Sequence, residues 1–173
     1  MRRRLSRTAA AATLVGMRFR TAIAAVALAA AAALAPAALS ASSHAFTATY
    51  RGTGSGQASG THASGHATAV GRGKLIGNST LAGSATGVFA SASCLTFRGA
   101  AVLKGRTGKI KLAASGVKVC PPGPAAVVNF SGRARVTGGT GKFAGASGTV
   151  RYHGRYVQQD RSVTIVFNGS ITY

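Results

Sequence analysis

Val128-Asn129-Phe130-Ser131-Gly132-Arg133-Ala134-Arg135-Val136 alternates apolar or small residues with polar ones at every step. In an extended strand, residues two apart share a face. Val128, Phe130, Gly132, Ala134 and Val136 therefore make one apolar face, which Ala126 extends, and Arg133 and Arg135 stand on the other. At its centre, Phe130-Ser131-Gly132 sets a ring beside a bare Cα. A ring so placed can lie across a glycine of the neighbouring strand, and the glycine lets its own strand bend sharply.

The same triplet of aromatic, any residue and glycine recurs at Tyr50-Arg51-Gly52, Phe97-Arg98-Gly99, Tyr152-His153-Gly154 and Phe167-Asn168-Gly169. Each copy sits on the apolar face of an alternating stretch. Leu95, Phe97, Gly99, Ala101 and Leu103 form one such face, and Val150, Tyr152, Gly154 and Tyr156 another, with Arg151, His153 and Arg155 opposite. Val163, Ile165, Phe167, Gly169, Ile171 and Tyr173 form the last. Gly105-Arg106-Thr107-Gly108 and Gln158-Gln159-Asp160-Arg161 read as turns, and Cys120-Pro121-Pro122-Gly123-Pro124 interrupts the sheet. No stretch beyond residue 45 keeps a helical period. The pattern predicts an all-β fold, an antiparallel up-and-down β-barrel of about eight strands with an apolar interior and a basic exterior.

Residues 52–70 are rich in Gly, Ala, Ser, Thr and His. That composition fits flexible chain, with 52–66 poorly ordered, and equally fits paired strand built of small residues. Strand order is expected near Ala67–Leu75, where Val70 and Leu75 offer apolar surface to bury.

The chain has 173 residues, and the first 45 read as a targeting segment. Six arginines precede an apolar run from Thr21 to Ala35, followed by small residues. Ser43-His44-Ala45 offers a cleavage site and Ser40-Ala41-Ser42 another. This is the layout of a secretory signal peptide with its signal helix. The alternative is an uncleaved anchor, for which the run is short, and Pro36 ends it. The expectation is a secreted or extracytoplasmic protein with one barrel domain over 46–173.

Fifteen of the 21 Lys and Arg lie beyond residue 45, against a single acid, Asp160. Such an excess attracts anionic polymers, and it equally suits a solvated basic surface. Arg133, Arg135, Arg151 and Arg155 are the candidate contacts for an anionic cell-envelope polymer. Sequence-specific nucleic-acid binding is not expected, because the rings face away from the charge and the chain has no Trp. Cys94 and Cys120, a lone pair in an exported chain, are expected to form a disulfide.

The sequence arranges no catalytic constellation. Paired-carboxylate glycosidase chemistry needs two acids, and a hydrolase needs a nucleophile, a base and an orienting group. No catalytic residue, metal or cofactor is assigned. His62 and His66 would lie about 13 Å apart on one strand face, too far for one ion. The candidate residues lining an interior site for a small apolar ligand are Phe97, Phe130, Tyr152, Tyr156, Phe167 and Ile171.

Gly138-Gly139-Thr140-Gly141-Lys142-Phe143-Ala144-Gly145-Ala146-Ser147-Gly148 resembles the GGTGxFxGAxG hairpin of the allene oxide cyclase and dirigent protein superfamily. It is most similar to that of small secreted bacterial members, which also end in a strand like Gly169-Ser170-Ile171-Thr172-Tyr173. The stretch His66–Gly73 is loosely similar to their first hairpin. The resemblance covers residues 126–173 and implies an eight-stranded antiparallel barrel, assembled as trimers in plant members. Those families use acidic pocket residues. Here Asp160 falls in a hairpin loop, so no catalytic position carries over. A binding module for a small apolar ligand, a surface protein adhering to anionic polymers, and a cyclase-like or isomerase-like enzyme are the three readings left open.

Overall fold

The computed structural model describes residues 41–91, 94–120 and 127–173. Residues 1–40 of the expected signal segment (1–45) and the proline break at 121–124 lie outside the described residues. Eight strands follow in order: β1 Ser43–Ser59, β2 His62–Gly73, β3 Gly77–Ser91, β4 Cys94–Gly105, β5 Gly108–Val119, β6 Val127–Gly141, β7 Ser147–Val157 and β8 Ser162–Thr172. Each pairs antiparallel with its neighbours in sequence, and β8 returns to pair with β1, closing the barrel. The β5–β6 ladder runs only from Gly108 opposite Gly141 to Ala114 opposite Ala134, so residues 115–119 and 127–133 are not paired with each other.

The Gly- and Ser-rich segment is paired strand apart from the turn at Gly60 and Thr61. Tyr50 faces Gly71, Gly54 faces Ala67 and Gly56 faces Gly65 across β1 and β2. One expectation on β2 is overturned. Val70 points outward and is 67% exposed, while Ala69 takes the inward place. The alternation on β2 sets odd-numbered residues inside, and Val70 is out of phase with it. Leu75, in the turn after β2, packs against the core as expected.

All five ring-and-glycine triplets face inward. Four of the five rings lie on glycines of a partner strand, whereas Phe167 stands opposite Ala48 and Tyr152. Phe130 is opposite Gly154 and Gly132 is opposite Tyr152. A methyl group placed on Gly132 would lie 2.8 Å from the Tyr152 hydroxyl, and one on Gly154 would collide with the Phe130 ring. Two triplets on β6 and β7 thus interlock head to tail. Tyr50 over Gly71 and Phe97 over Gly87 repeat the contact elsewhere.

Besides a register shift between Phe89 and Ser91 of β3, two bulges bend the wall. Ser115 and Gly116 interrupt β5, with Gly116 at φ +67, where the pairing shifts between Phe97 and Gly99. Before the bulge Ile110 and Leu112 face inward, and after it Val117 and Val119 do. The inserted residue moves the apolar set from even to odd positions. A second shift lies between Lys111 and Leu112, opposite β6, where the Thr137 hydroxyl donates to the Lys111 carbonyl at 3.4 Å.

One end of the barrel is solid. Phe46, Tyr50, Leu103, Ile110, Val150 and Ile171 are wholly buried there. The turn at residues 142–146 folds over this end and drives Phe143 into it, edge-on to Tyr173 at 5.1 Å. Ile76, from the turn at 74–76, also seals it.

The one buried polar residue among the described core is Ser79. Its hydroxyl donates to the Gly77 carbonyl at 3.3 Å and so accepts from the Tyr50 hydroxyl at 2.8 Å. Removing one partner strands the other, whereas removing both does not. Ser79→Ala is therefore expected to cost about 1–3 kcal/mol. Adding Tyr50→Phe should recover most of that loss, as read from denaturant unfolding.

Candidate functional site

The opposite half of the barrel is not filled. A cavity of about 310 Å³ opens toward the end that carries the β1–β2 and β7–β8 hairpins. Its shape follows from which residues the register brings inside. On one wall Gly54, Gly56, Gly65, Gly83, Ala85 and Gly99 face inward and supply little volume. Ala101 and Ala114 continue this wall. The facing wall carries Phe130, Tyr152 and Tyr156 with Val128, Val163 and Ile165. Leu81, Leu112, Ala134 and Phe167 belong to both the cavity and the buried core, and so make its floor.

Five of the six ring and aliphatic residues expected inside border this space: Phe97, Phe130, Tyr152, Tyr156 and Phe167. Ile171 does not. It is fully buried in the solid half, because its place near the end of β8, opposite Gly148 of β7, carries it past the cavity floor. Tyr152 stands between Phe130, at 6.4 Å between ring centroids, and Phe167, at 6.2 Å. The three rings form one aromatic surface.

The small-residue wall is one backbone layer thick. Ser55, His66, Ser84 and Ala100 point outward by strand alternation, yet they also border the cavity. They form a single cross-strand row over β1 to β4. Ser55 Oγ lies 3.0 Å from His66 Nε2. Sequence spacing gave no sign of this pair, which only register creates. It is exposed, and among the described residues no carboxylate forms a salt bridge or hydrogen bond with the His66 ring.

Polar chemistry inside is sparse. Burial holds the Tyr152 phenol above its ordinary pKa of 10.0. It stays protonated at neutral pH, and among the described residues it has no hydrogen-bond partner. It is thus a donor available to a guest. Tyr50 is also raised by burial, with the Ser79 hydrogen bond acting the other way, but it lies in the solid half.

Cys94 and Cys120 form a disulfide. It ties the start of β4 to the residue after β5, at the open end and just beyond the β5 bulge. The bridge closes 26 residues, worth about 3 kcal/mol on the chain-entropy account. Asp160 is fully exposed in the β7–β8 loop. There it accepts a hydrogen bond from the Ser162 N–H at 2.9 Å, which lowers its pKa with lesser help from Arg155. It takes no part in the cavity.

Arg133, Arg135, Arg151 and Arg155 are all exposed on the outer face of β6 and β7. Arg133 stands directly opposite Arg151, whereas Arg135 faces Thr149 and Arg155 faces Asn129.

No family model matches the chain, and no curated protein matches it in sequence. Among solved structures, a pyocyanin demethylase is similar with a TM-score of 0.49 and 9% identity, over 74% of this chain and 99% of that one.

The two kinds of glycine respond differently to added volume. A Cβ at Gly83 meets only ordinary contacts, 3.4 Å or more away, and points into the cavity. Gly83→Leu is expected to fold with stability within about 1 kcal/mol of the parent. At Gly154 the Phe130 ring already occupies the space, so Gly154→Ala is expected to lose about 1–3 kcal/mol. Paired thermal melts check both.

Proposed function

We propose that this chain is an exported, non-enzymatic binding barrel that holds one small apolar ligand in the open half of its interior. The observation that carries this reading is the division of the barrel. One half is packed solid, while the other sets glycines and alanines against an aromatic wall and keeps about 310 Å³ clear. Small-molecule sites span about 300–1,000 Å³ and are mostly apolar with a few placed polar groups. The matching guest is compact, flat on one side, and carries a single hydrogen-bond acceptor for Tyr152. The hairpin at Gly138–Gly148 supports placing the barrel with the allene oxide cyclase and dirigent-like proteins, without their acidic chemistry.

Phenylnaphthylamine, a neutral fluorophore that brightens in apolar surroundings, tests the site. Saturable one-to-one binding to the parent is expected, with a loss on the order of tenfold in Gly83→Leu, since that side chain occupies the cavity. Equal binding by the two proteins would sink the reading.

Export is supported by the basic and apolar leader and agrees with the disulfide. The strand layout favours one processing site over the other. Ser43 pairs with Thr172, His44 with Ile171 and Ala45 with Ser170. His44 also stacks on Tyr173 at 4.7 Å. Cleavage after Ala45 would discard these contacts, whereas cleavage after Ser42 keeps them. The intact mass of the exported protein is expected to correspond to a chain beginning at Ser43. A mass beginning at Phe46 would contradict this.

A second reading, adhesion to anionic envelope polymers through Arg133, Arg135, Arg151 and Arg155, draws support from one contact. Like charges directly opposite across a strand pair are destabilising, and no acid lies beside Arg133 and Arg151 in the register. A bound polyanion would offset that repulsion.

A further inference from the structure

Away from the cavity and from the β6–β7 arginines, the outer face of β1 to β4 forms a trough of about 940 Å³. Its cross-section follows from register. Arg51 of β1 faces Val70 of β2, Val70 faces Thr80 of β3, and Thr80 faces Lys104 of β4. Across four strands the side chains therefore run long, short, short, long. Three strand spacings separate the two cationic walls, about 14 Å between backbones. Arg72 lies one row along, flanked by Thr49 and Asn78. Arg106, in the β4–β5 turn, adds a fourth cation at the Lys104 side.

Three properties define what fits there. The walls are cationic, and the one acid of the chain, Asp160, sits at the other end of the barrel, so no internal carboxylate competes. The span exceeds one anionic group, which favours an extended ligand with repeated charges. The residues between the cations are hydroxyls, an amide and one exposed valine, and no aromatic side chain borders the trough. Nucleic-acid grooves pair such charge with stacking rings, which are missing here. Thr49, Thr80 and Asn78 instead offer hydrogen bonds to a ligand that carries hydroxyls as well as charge. We infer that the β1–β4 trough binds an acidic polysaccharide, its carboxylates held by Arg51, Arg72, Lys104 and Arg106 and its sugar hydroxyls by the side chains between them.

Oligogalacturonate tests this on the full exported chain by calorimetric titration at several salt concentrations. Arg51→Gln with Arg72→Gln should weaken binding by on the order of tenfold, since each lost arginine removes a charge-assisted contact. Lys104→Gln with Arg106→Gln should do the same and guards against misfolding of the first pair. Arg133→Gln with Arg151→Gln removes the same charge from the β6–β7 face and should change affinity less than about threefold, an effect of net charge alone. Equal losses in all three double variants would reduce the site to general charge and overturn the proposal. A loss confined to the Arg133 and Arg151 pair would move binding to the β6–β7 face and also overturn it. Polyphosphate or duplex DNA bound more tightly than oligogalacturonate would reject the polysaccharide. None of these outcomes touches the cavity reading, which phenylnaphthylamine tests separately.

Discussion

A ring resting on a glycine is the contact on which this barrel depends. Small closed sheets crowd their interior, because every strand sends half its side chains to one axis. Phe130 and Tyr152 fit there only because Gly154 and Gly132 stand opposite them. Each ring then shields the backbone of its partner strand, and each glycine gives its own strand freedom to coil. The interlocked pair fixes the register of β6 against β7. A slip of β6 by one residue would set Phe130 outside and turn Arg133 and Arg135 inward.

The same economy of side chains produces the cavity. Apart from Phe97 on β4, the rings of this half sit on β6 to β8, and the strands facing them set mostly glycine and alanine inward. Nothing from the small side reaches across to fill the space. In the other half, Phe46, Tyr50, Leu103 and Ile110 do reach across, and the Phe143 turn caps the end. Stability is thereby concentrated in one half, and the other is left as a cup whose rim is braced by the disulfide. A solid half anchoring a hollow one lets an empty site persist, since the cost of unfilled space is carried by packing elsewhere.

Much of this was legible in the sequence. The alternation at Val128–Val136, Val150–Tyr156 and Val163–Tyr173 shows which residues face inward, and with the recurring triplets it fits a meander of about eight strands, closed or nearly closed. Five of the lining residues were found this way. Ile171 was not separated from them, because face alone does not tell depth along the barrel axis. Val70 misled because a lone valine among small residues looks like the residue to bury, while the phase of β2 was set by glycines and alanines that carry little hydropathy. The β5 bulge was hidden for a similar reason. Ser115-Gly116 resembles any small-residue stretch until pairing with β4 shows one residue too many. The Ser55–His66 pair and the β1–β4 trough are products of register across strands, which no local pattern spells out.

Closure has a temporal side. Seven of the eight ladders join strands adjacent in the chain and can form as each hairpin is made. The eighth joins β1 to β8 and holds Phe46, Ala48 and Tyr50 against the last strand. Until β8 has been synthesised, the outer rim of β1 has no partner and the packed end has a missing stave. The final eleven-residue strand thus acts as a latch, and a nascent chain lacking it is an open, sticky sheet. Loop closure over so long a separation is slow, so the interval between the emergence of β8 and its docking on β1 is when this barrel is most exposed to aggregation.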